Sequence, residues 1–205
     1  MRVGILGGTF DPIHLGHLII AENARTSLDL EEVVFIPTGQ PWMRPDAPLS
    51  PSHHRLNMVR IAVASNPFFR ASSIETDRPG PTYTVDTLEE LLREGGEGDS
   101  FFFILGADAL DEFPQWKEPG RVLKLCTLVP AKRQGWGDLN MPPLSFVDLS
   151  AAQKVVMLET PTIDISGTEI RHRVVRGLSV RYQVPDEVER YMQHYGLYRA
   201  PEGGE

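Results

Sequence analysis

Residues 2–37 open Arg2-Val3-Gly4-Ile5-Leu6-Gly7-Gly8-Thr9-Phe10-Asp11-Pro12-Ile13-His14-Leu15-Gly16-His17 and close Val33-Val34-Phe35-Ile36-Pro37. Val3–Leu6 is a brief apolar run closed by glycines, the pattern of a buried strand. From Leu15 to Leu28 apolar residues stand at Leu15, Leu18, Ile19 and Leu28 with alanines between, which predicts a helix. Val33–Ile36 repeats the strand pattern and stops at a proline. Strand, helix and strand within the first 37 residues match a right-handed βαβ unit.

Working outward, the alternation continues. Thr38–Pro51 carries prolines and no periodicity, so it is expected as a surface loop of functional length. Ser52–Ala64 reads as a helix with Ser52 as its N-cap. Phe68–Ile74 reads as a strand, Asp77–Pro81 as a turn and Thr84–Arg93 as a helix with Thr84 as its N-cap. Phe101–Leu105 is another buried strand, followed by Gly106 and a short helix broken by Pro114 and Pro119. Leu125–Val129, Leu144–Leu149 and Val155–Leu158 are further strand candidates, with a loop over Arg133–Pro143. Two helices, Gly167–Val175 and Pro185–His194, close the chain before a polar tail. The expected class is α/β, an open parallel sheet with helices on both faces and a small helical C-terminal part. Such sheets bind ligands at the carboxyl ends of their strands where the strand order reverses, which directs attention to the residues after Leu6, Ile36 and Leu105.

Composition narrows the function classes. The 205 residues suffice for one substantial core, and 41% hydrophobic with 23% charged residues is ordinary for a globular chain. Twenty basic against 28 acidic residues give a net charge of −8, which argues against non-specific binding of nucleic acid or an anionic membrane. It leaves room for a small phosphorylated ligand held by a few aimed donors. The single cysteine, Cys126, excludes an internal disulfide framework and fits a reducing cytoplasm. No apolar stretch approaches the roughly 18 residues of a membrane span, and no signal peptide pattern precedes the first strand. A soluble cytoplasmic protein is the expectation.

The chemistry-bearing residues fall into two blocks. Gly7-Gly8 and the helix start that follows are neither G-x-G-x-x-G nor G-x-x-x-x-G-K, but the physics is related: backbone N–H groups can approach an anion there. His14 and His17, three apart, share one face at that helix start, and Gly16 keeps the turn free of bulk. The positive helix end tends to lower their pKa, so they would serve as neutral donors to phosphate. H-x-x-H also fits a pair of metal ligands, although the four-residue spacing and glutamate of H-E-x-x-H are absent. In the second block, Ser166-Gly167-Thr168-Glu169 is a capping box, and Thr168 and Arg171 share a face at another positive helix end. Hydroxyl, guanidinium and backbone N–H groups together make a phosphate site.

The string Gly8-Thr9-Phe10-Asp11-Pro12-Ile13-His14-Leu15-Gly16-His17 resembles the (T/S)-F-D-P-x-H-x-G-H motif of the nucleotidyltransferase superfamily. Ile165-Ser166-Gly167-Thr168-Glu169-Ile170-Arg171 resembles its I-S-S-T-x-I-R motif, with Gly167 in place of the second serine. Three more segments are similar to bacterial nicotinate-mononucleotide adenylyltransferases. They are Pro37–Arg44 (with Trp42 and Met43 departing from P-P-H-K), Pro81-Thr82-Tyr83-Thr84-Val85-Asp86-Thr87-Leu88, and Phe103–Leu110 followed by Trp116. Lys117 stands where relatives often carry an aromatic residue. The ending Tyr182–Tyr198 also matches, so the likeness spans residues 1–198 as one nucleotidyltransferase domain, with 199–205 a polar tail.

The resemblance implies a Rossmann-like domain that transfers the adenylyl group of ATP to nicotinate mononucleotide in NAD biosynthesis, without a covalent intermediate. It implies His14, His17, Thr168 and Arg171 as catalytic residues, and Gly7, Gly8, Thr9, Phe10, Gly106 and Ser166 around ATP. Thr84, Asp108, Trp116 and Arg44 would contact nicotinate mononucleotide. Mg²⁺ would arrive on the ATP phosphates, with no metal held by side chains. Nicotinamide mononucleotide or another phosphorylated acceptor, a non-catalytic nucleotide-binding protein and a metal-dependent hydrolase using His14 and His17 remain the competing expectations.

Overall fold

A computed structural model describes residues 1–43, 48–96, 98–132, 154–161 and 163–199. In chain order the elements are β1 (Arg2–Gly8), α1 (Leu15–Ser27), β2 (Glu32–Pro37), β3 (Gln40–Pro41), α2 (Ser52–Val63), β4 (Phe69–Ala71), β5 (Pro81–Thr82) and α3 (Thr84–Glu94). They continue with β6 (Ser100–Gly106), α4 (Ala107–Glu112), a 3-10 turn at Phe113–Gln115, α5 (Pro119–Leu125), β7 (Cys126–Lys132), β8 (Leu158–Glu159), α6 (Gly167–Val175) and α7 (Asp186–His194). Six strands form one parallel sheet in the order β4-β2-β1-β6-β7-β8.

The strands are apolar on both faces because helices cover both. Val3 and Ile5 of β1, Val34 and Ile36 of β2, and Phe101 and Phe103 of β6 pack on one side with Val85, Leu88, Leu110, Phe113 and Leu123. The alternate residues Leu6, Val33, Phe35, Phe102 and Ile104 pack on the other with Ala21, Met58, Val59, Ile170, Val188 and Met192. Each fully buried large side chain contributes about 1.5–3 kcal/mol over its exposed state. The helical carboxyl-terminal part therefore belongs to the same core as α1 and α2. Cys126 lies in that sheet, where burial pushes its thiol up to about 12.

Several boundaries differ from the sequence expectation. The N-cap of α2 is Pro51, and that of α3 is Tyr83, so Ser52 and Thr84 are the first helical residues instead of caps. The strand expected over 68–74 is confined to Phe69–Ala71, and that expected over Val155–Leu158 reduces to a bridge at Val155 and the pair Leu158–Glu159. Pro119, read as a helix breaker, instead begins α5, where its missing N–H costs nothing. Within the expected loop 38–51, Gln40 and Pro41 pair in parallel with Pro81 and Thr82. The expectations for Arg44, for 133–149 and for the tail beyond 199 lie outside the described residues.

Candidate active site

From β1 the sheet grows in one direction to β2 and β4, and from β6 it grows in the other to β7 and β8. The loops leaving the carboxyl ends of β1 and β6 therefore diverge and open a crevice between them. Gly7 and Gly8 end β1, exposed Thr9 follows, and Gly106 ends β6.

The first loop turns at Phe10, whose φ of 48° is left-handed and whose ring is 1% exposed. That ring meets His17 edge-on at 5.0 Å and lies 6.0 Å from Phe35, so Phe10 supports an imidazole from below. His14 is the extended N-cap of α1, and its backbone N–H donates to Nδ1 of His17 at 3.2 Å. An Nδ1 that accepts carries no proton, so the neutral ring of His17 presents Nε2–H as its donor. The two imidazoles stack at 3.6 Å and 24°.

The second block closes on the first. The hydroxyl of Ser166 accepts the Glu169 N–H at 3.2 Å, which caps α6 as the sequence pattern predicts. Arg171 donates through Nη2 to Thr168 Oγ1 at 3.3 Å and through Nη1 to the backbone carbonyl of Asp11 at 2.7 Å. A Cβ at Gly167 would stand 3.1 Å from that same carbonyl, so the missing serine side chain clears the approach of α6 to the histidine loop. Arg171, with Thr168 beside it, is thus docked on the loop that leads into His14 and His17, across a sequence separation of 160 residues.

A buried polar frame holds these loops. The guanidinium of Arg55, on α2 and 2% exposed, donates to Thr9 O at 2.8 Å, Ser50 O at 2.9 Å and Gly39 O at 3.2 Å. Burial lowers its pKa and the Asp11 carboxylate opposes that. Asp11, 3% exposed, accepts the Tyr198 hydroxyl at 2.5 Å and the Ser50 N–H at 3.2 Å.

An aromatic group packs against the α3 side of the sheet. Pairing of β3 with β5 carries Trp42 to Tyr83, with ring centroids 5.6 Å apart. Trp116 meets Phe113 at 5.3 Å and Phe103 at 5.8 Å, both edge-on. Lys117 binds both oxygens of Asp86, at 2.9 and 3.0 Å, and sits 4.5 Å over the Tyr83 ring. The Trp116–Lys117 segment is thereby tied to the start of α3, where Thr84 stands. Asp108 lies in the first turn of α4 at the end of β6. Beneath α3, burial pushes the Glu75 carboxyl up, against hydrogen bonds from Thr87 (2.9 Å) and Thr82.

Sequence reasoning passed over Arg55, Tyr198, Glu75 and the carboxylate of Asp11. Asp11 was inside the quoted motif, but its partners lie 39 and 187 positions away. Arg55 follows His53 and His54 in α2, with nothing local to mark it as a loop anchor.

A family model described as cytidylyltransferase-like matches residues 5–173. Over 197 residues the chain is 46% identical to a protein of Roseiflexus sp. (strain RS-1) named "Probable nicotinate-nucleotide adenylyltransferase", covering 96% of this chain and 98% of that one. A protein of the same name from Leifsonia xyli subsp. xyli is 45% identical, with 97% and 94% covered. The fold is similar to that of Plasmodium falciparum nicotinic acid mononucleotide adenylyltransferase complexed with NaAD, at a TM-score of 0.75 and 21% identity over 96% of this chain and 97% of that one.

Proposed function

The chain belongs to the nicotinate-nucleotide adenylyltransferase family, and from that premise we infer how its residues transfer the adenylyl group of ATP to nicotinate mononucleotide. The products are nicotinic acid adenine dinucleotide and pyrophosphate. The observation that supports this assignment of roles is the bond from Arg171, itself paired with Thr168, to the carbonyl of Asp11 in the loop that leads into the two stacked imidazoles.

The nucleophile is a phosphate oxygen of nicotinate mononucleotide, already ionised at neutral pH, so no general base is needed. Its bond to the α-phosphorus forms as the bond from that phosphorus to the bridging oxygen of the β-phosphate breaks. Pyrophosphate leaves with that electron pair. The task for the protein is to align two polyanions and to donate to charge that grows on the leaving group. His17 offers Nε2–H and His14 stands beside it to hold the triphosphate, with the backbone N–H groups of Gly7, Gly8 and Thr9 near the same end. Arg171 and Thr168 meet the β- and γ-phosphates, and Ser166 keeps α6 capped behind them.

The donor set here consists of imidazoles, a guanidinium, a hydroxyl and backbone N–H groups. It suits an anion and lacks the oxygen ligands Mg²⁺ prefers. Among the described residues no group of three or more His, Cys, Asp or Glu could hold a metal ion. We therefore take the ion as part of the substrate, carried on the ATP phosphates and screening their charge. Trp116 supplies a flat face for the pyridine ring, Thr84 the start of α3, Asp108 a carboxylate for ribose hydroxyls, and Arg44 added positive charge.

Residues 1–198 act as one domain in this reading, supported by the six-stranded sheet and by the core that α6 and α7 share with it. We assign the reaction to a reducing cytoplasm on the single-thiol composition. Separately, among the described residues no helix is long and apolar enough to cross a membrane. The test is pyrophosphate release with ATP and Mg²⁺, comparing nicotinate mononucleotide, nicotinamide mononucleotide and phosphopantetheine. Release that favours the nicotinate nucleotide and is lost in His17→Ala meets the expectation, and preference for another acceptor overturns it.

A further inference from the structure

Asp11 is held from three directions. Its carboxylate accepts the hydroxyl of Tyr198 at 2.5 Å and the N–H of Ser50 at 3.2 Å, and its carbonyl accepts Arg171 Nη1 at 2.7 Å. The side chain is 3% exposed, so it is turned away from any ligand in the crevice. Asp11, three residues before His14, therefore ties the loop that carries the imidazole pair to the guanidinium of Arg171. If Asp11 shifts, His14 and Arg171 lose their mutual register, and a displacement of about 1 Å is worth up to about 100-fold in rate.

We propose that Tyr198 is a positioning residue for adenylyl transfer, acting through Asp11 to set Arg171 against His14 and His17; this rests on the transfer reading above. Tyr198 suits the task because burial, and then the Asp11 carboxylate, push its phenol pKa up, so it remains a donor throughout the working range. Its ring is held independently of that hydrogen bond. The preceding helix α7 buries Val188 and Met192 in the core, and the Tyr191 hydroxyl meets His54 Nδ1 at 2.9 Å and Asn57 Nδ2 at 3.2 Å on α2. The Leu197 N–H closes on Met192 O at 2.9 Å. Removing only the Tyr198 hydroxyl thus takes away one of the three bonds that hold Asp11 without undocking the helix.

The experiment measures pyrophosphate release by the full chain with Tyr198→Phe, Arg171→Ala and the double variant, each at a temperature well below its own melting point. The expected result is a 10- to 100-fold fall in kcat for Tyr198→Phe, KM for nicotinate mononucleotide within about twofold of wild type, and little further loss when Tyr198→Phe is added to Arg171→Ala. Asp11→Asn, which keeps the shape but removes the charge and one of the two acceptor oxygens, should show the same dependence on Arg171. An unchanged kcat with only a lowered Tm overturns the proposal, as does an equal penalty in both Arg171 backgrounds. If Tyr198→Phe does not fold, Asp11→Asn decides by the same two criteria. A wild-type chain that releases no pyrophosphate overturns the transfer reading and this proposal with it, a result visible before any Tyr198 variant is made.

Discussion

A methyl group built on Gly16 would stand 3.0 Å from Nδ1 and 3.1 Å from Cε1 of His14. The glycine between the two histidines is thus where the His14 ring folds back over its own helix. Helix propensity alone would favour alanine there by about 1 kcal/mol. For Gly16→Ala we expect stability and activity to separate: a melting temperature equal to or above wild type, and kcat reduced at least tenfold as the His14 ring is displaced. Thermal melts and pyrophosphate release on the same preparation check both halves.

The hydrogen bond from His14 N–H to His17 Nδ1 specifies which nitrogen of His17 carries the proton. Nitrogen-15 NMR of the histidine side chains should show Nδ1 of His17 as the unprotonated, pyridine-like nitrogen. Removing the donor in His17→Ala should lower kcat by about 100- to 1,000-fold, the range for one lost donor to developing charge. His17→Gln, whose amide reaches near the Nε2 position, should recover part of that loss.

Arg55 satisfies three backbone carbonyls on three separate loops. Replacing it by methionine keeps much of the volume and removes all three donors. Buried acceptors left unsatisfied cost about 1–3 kcal/mol each, so a net loss of about 3 kcal/mol or more is expected. For a chain of this length that lowers Tm by about 6–12 °C, readable by calorimetry.

Glu75 supplies a pH dependence of stability. A carboxyl whose pKa is raised by burial stabilises the fold while protonated, below the ordinary glutamate range. That contribution is lost as pH rises through the raised value. Glu75→Gln removes the ionisation but keeps an acceptor for Thr87. The variant should melt close to wild type near pH 4 and progressively higher than wild type as pH rises. Each kcal/mol relieved corresponds to about 2–4 °C. A constant gap across the pH series would refute the assignment.

The βαβ opening, both histidines, the cap at Ser166 and the α6 boundaries were legible because each depends on neighbours within a few residues. Gly167 was visible as a departure, but its use was not, since the atom it avoids belongs to Asp11, far earlier in the chain. The same distance hid the Asp11–Tyr198 bond, the three carbonyls of Arg55 and the pairing of Gln40–Pro41 with Pro81–Thr82. A two-residue ladder leaves no periodicity to read, and a buried arginine in an amphipathic helix looks like any basic residue until its surroundings are known. Pro119 was misjudged for a local reason: its position at the start of a helix and at the end of one look alike without the backbone.

If Arg171 holds the triphosphate as proposed, its bond to the carbonyl of Asp11 also bears on which molecules in a preparation can turn over. A ribosome-bound chain releases both histidines early, yet on the proposed roles it would have no second wall for a triphosphate until α6 had emerged and docked. Fragments that stop before α6 would then contribute mass and absorbance to a sample without contributing pyrophosphate. Specific activity would, on that reading, count the molecules in which α6 has closed on the histidine loop.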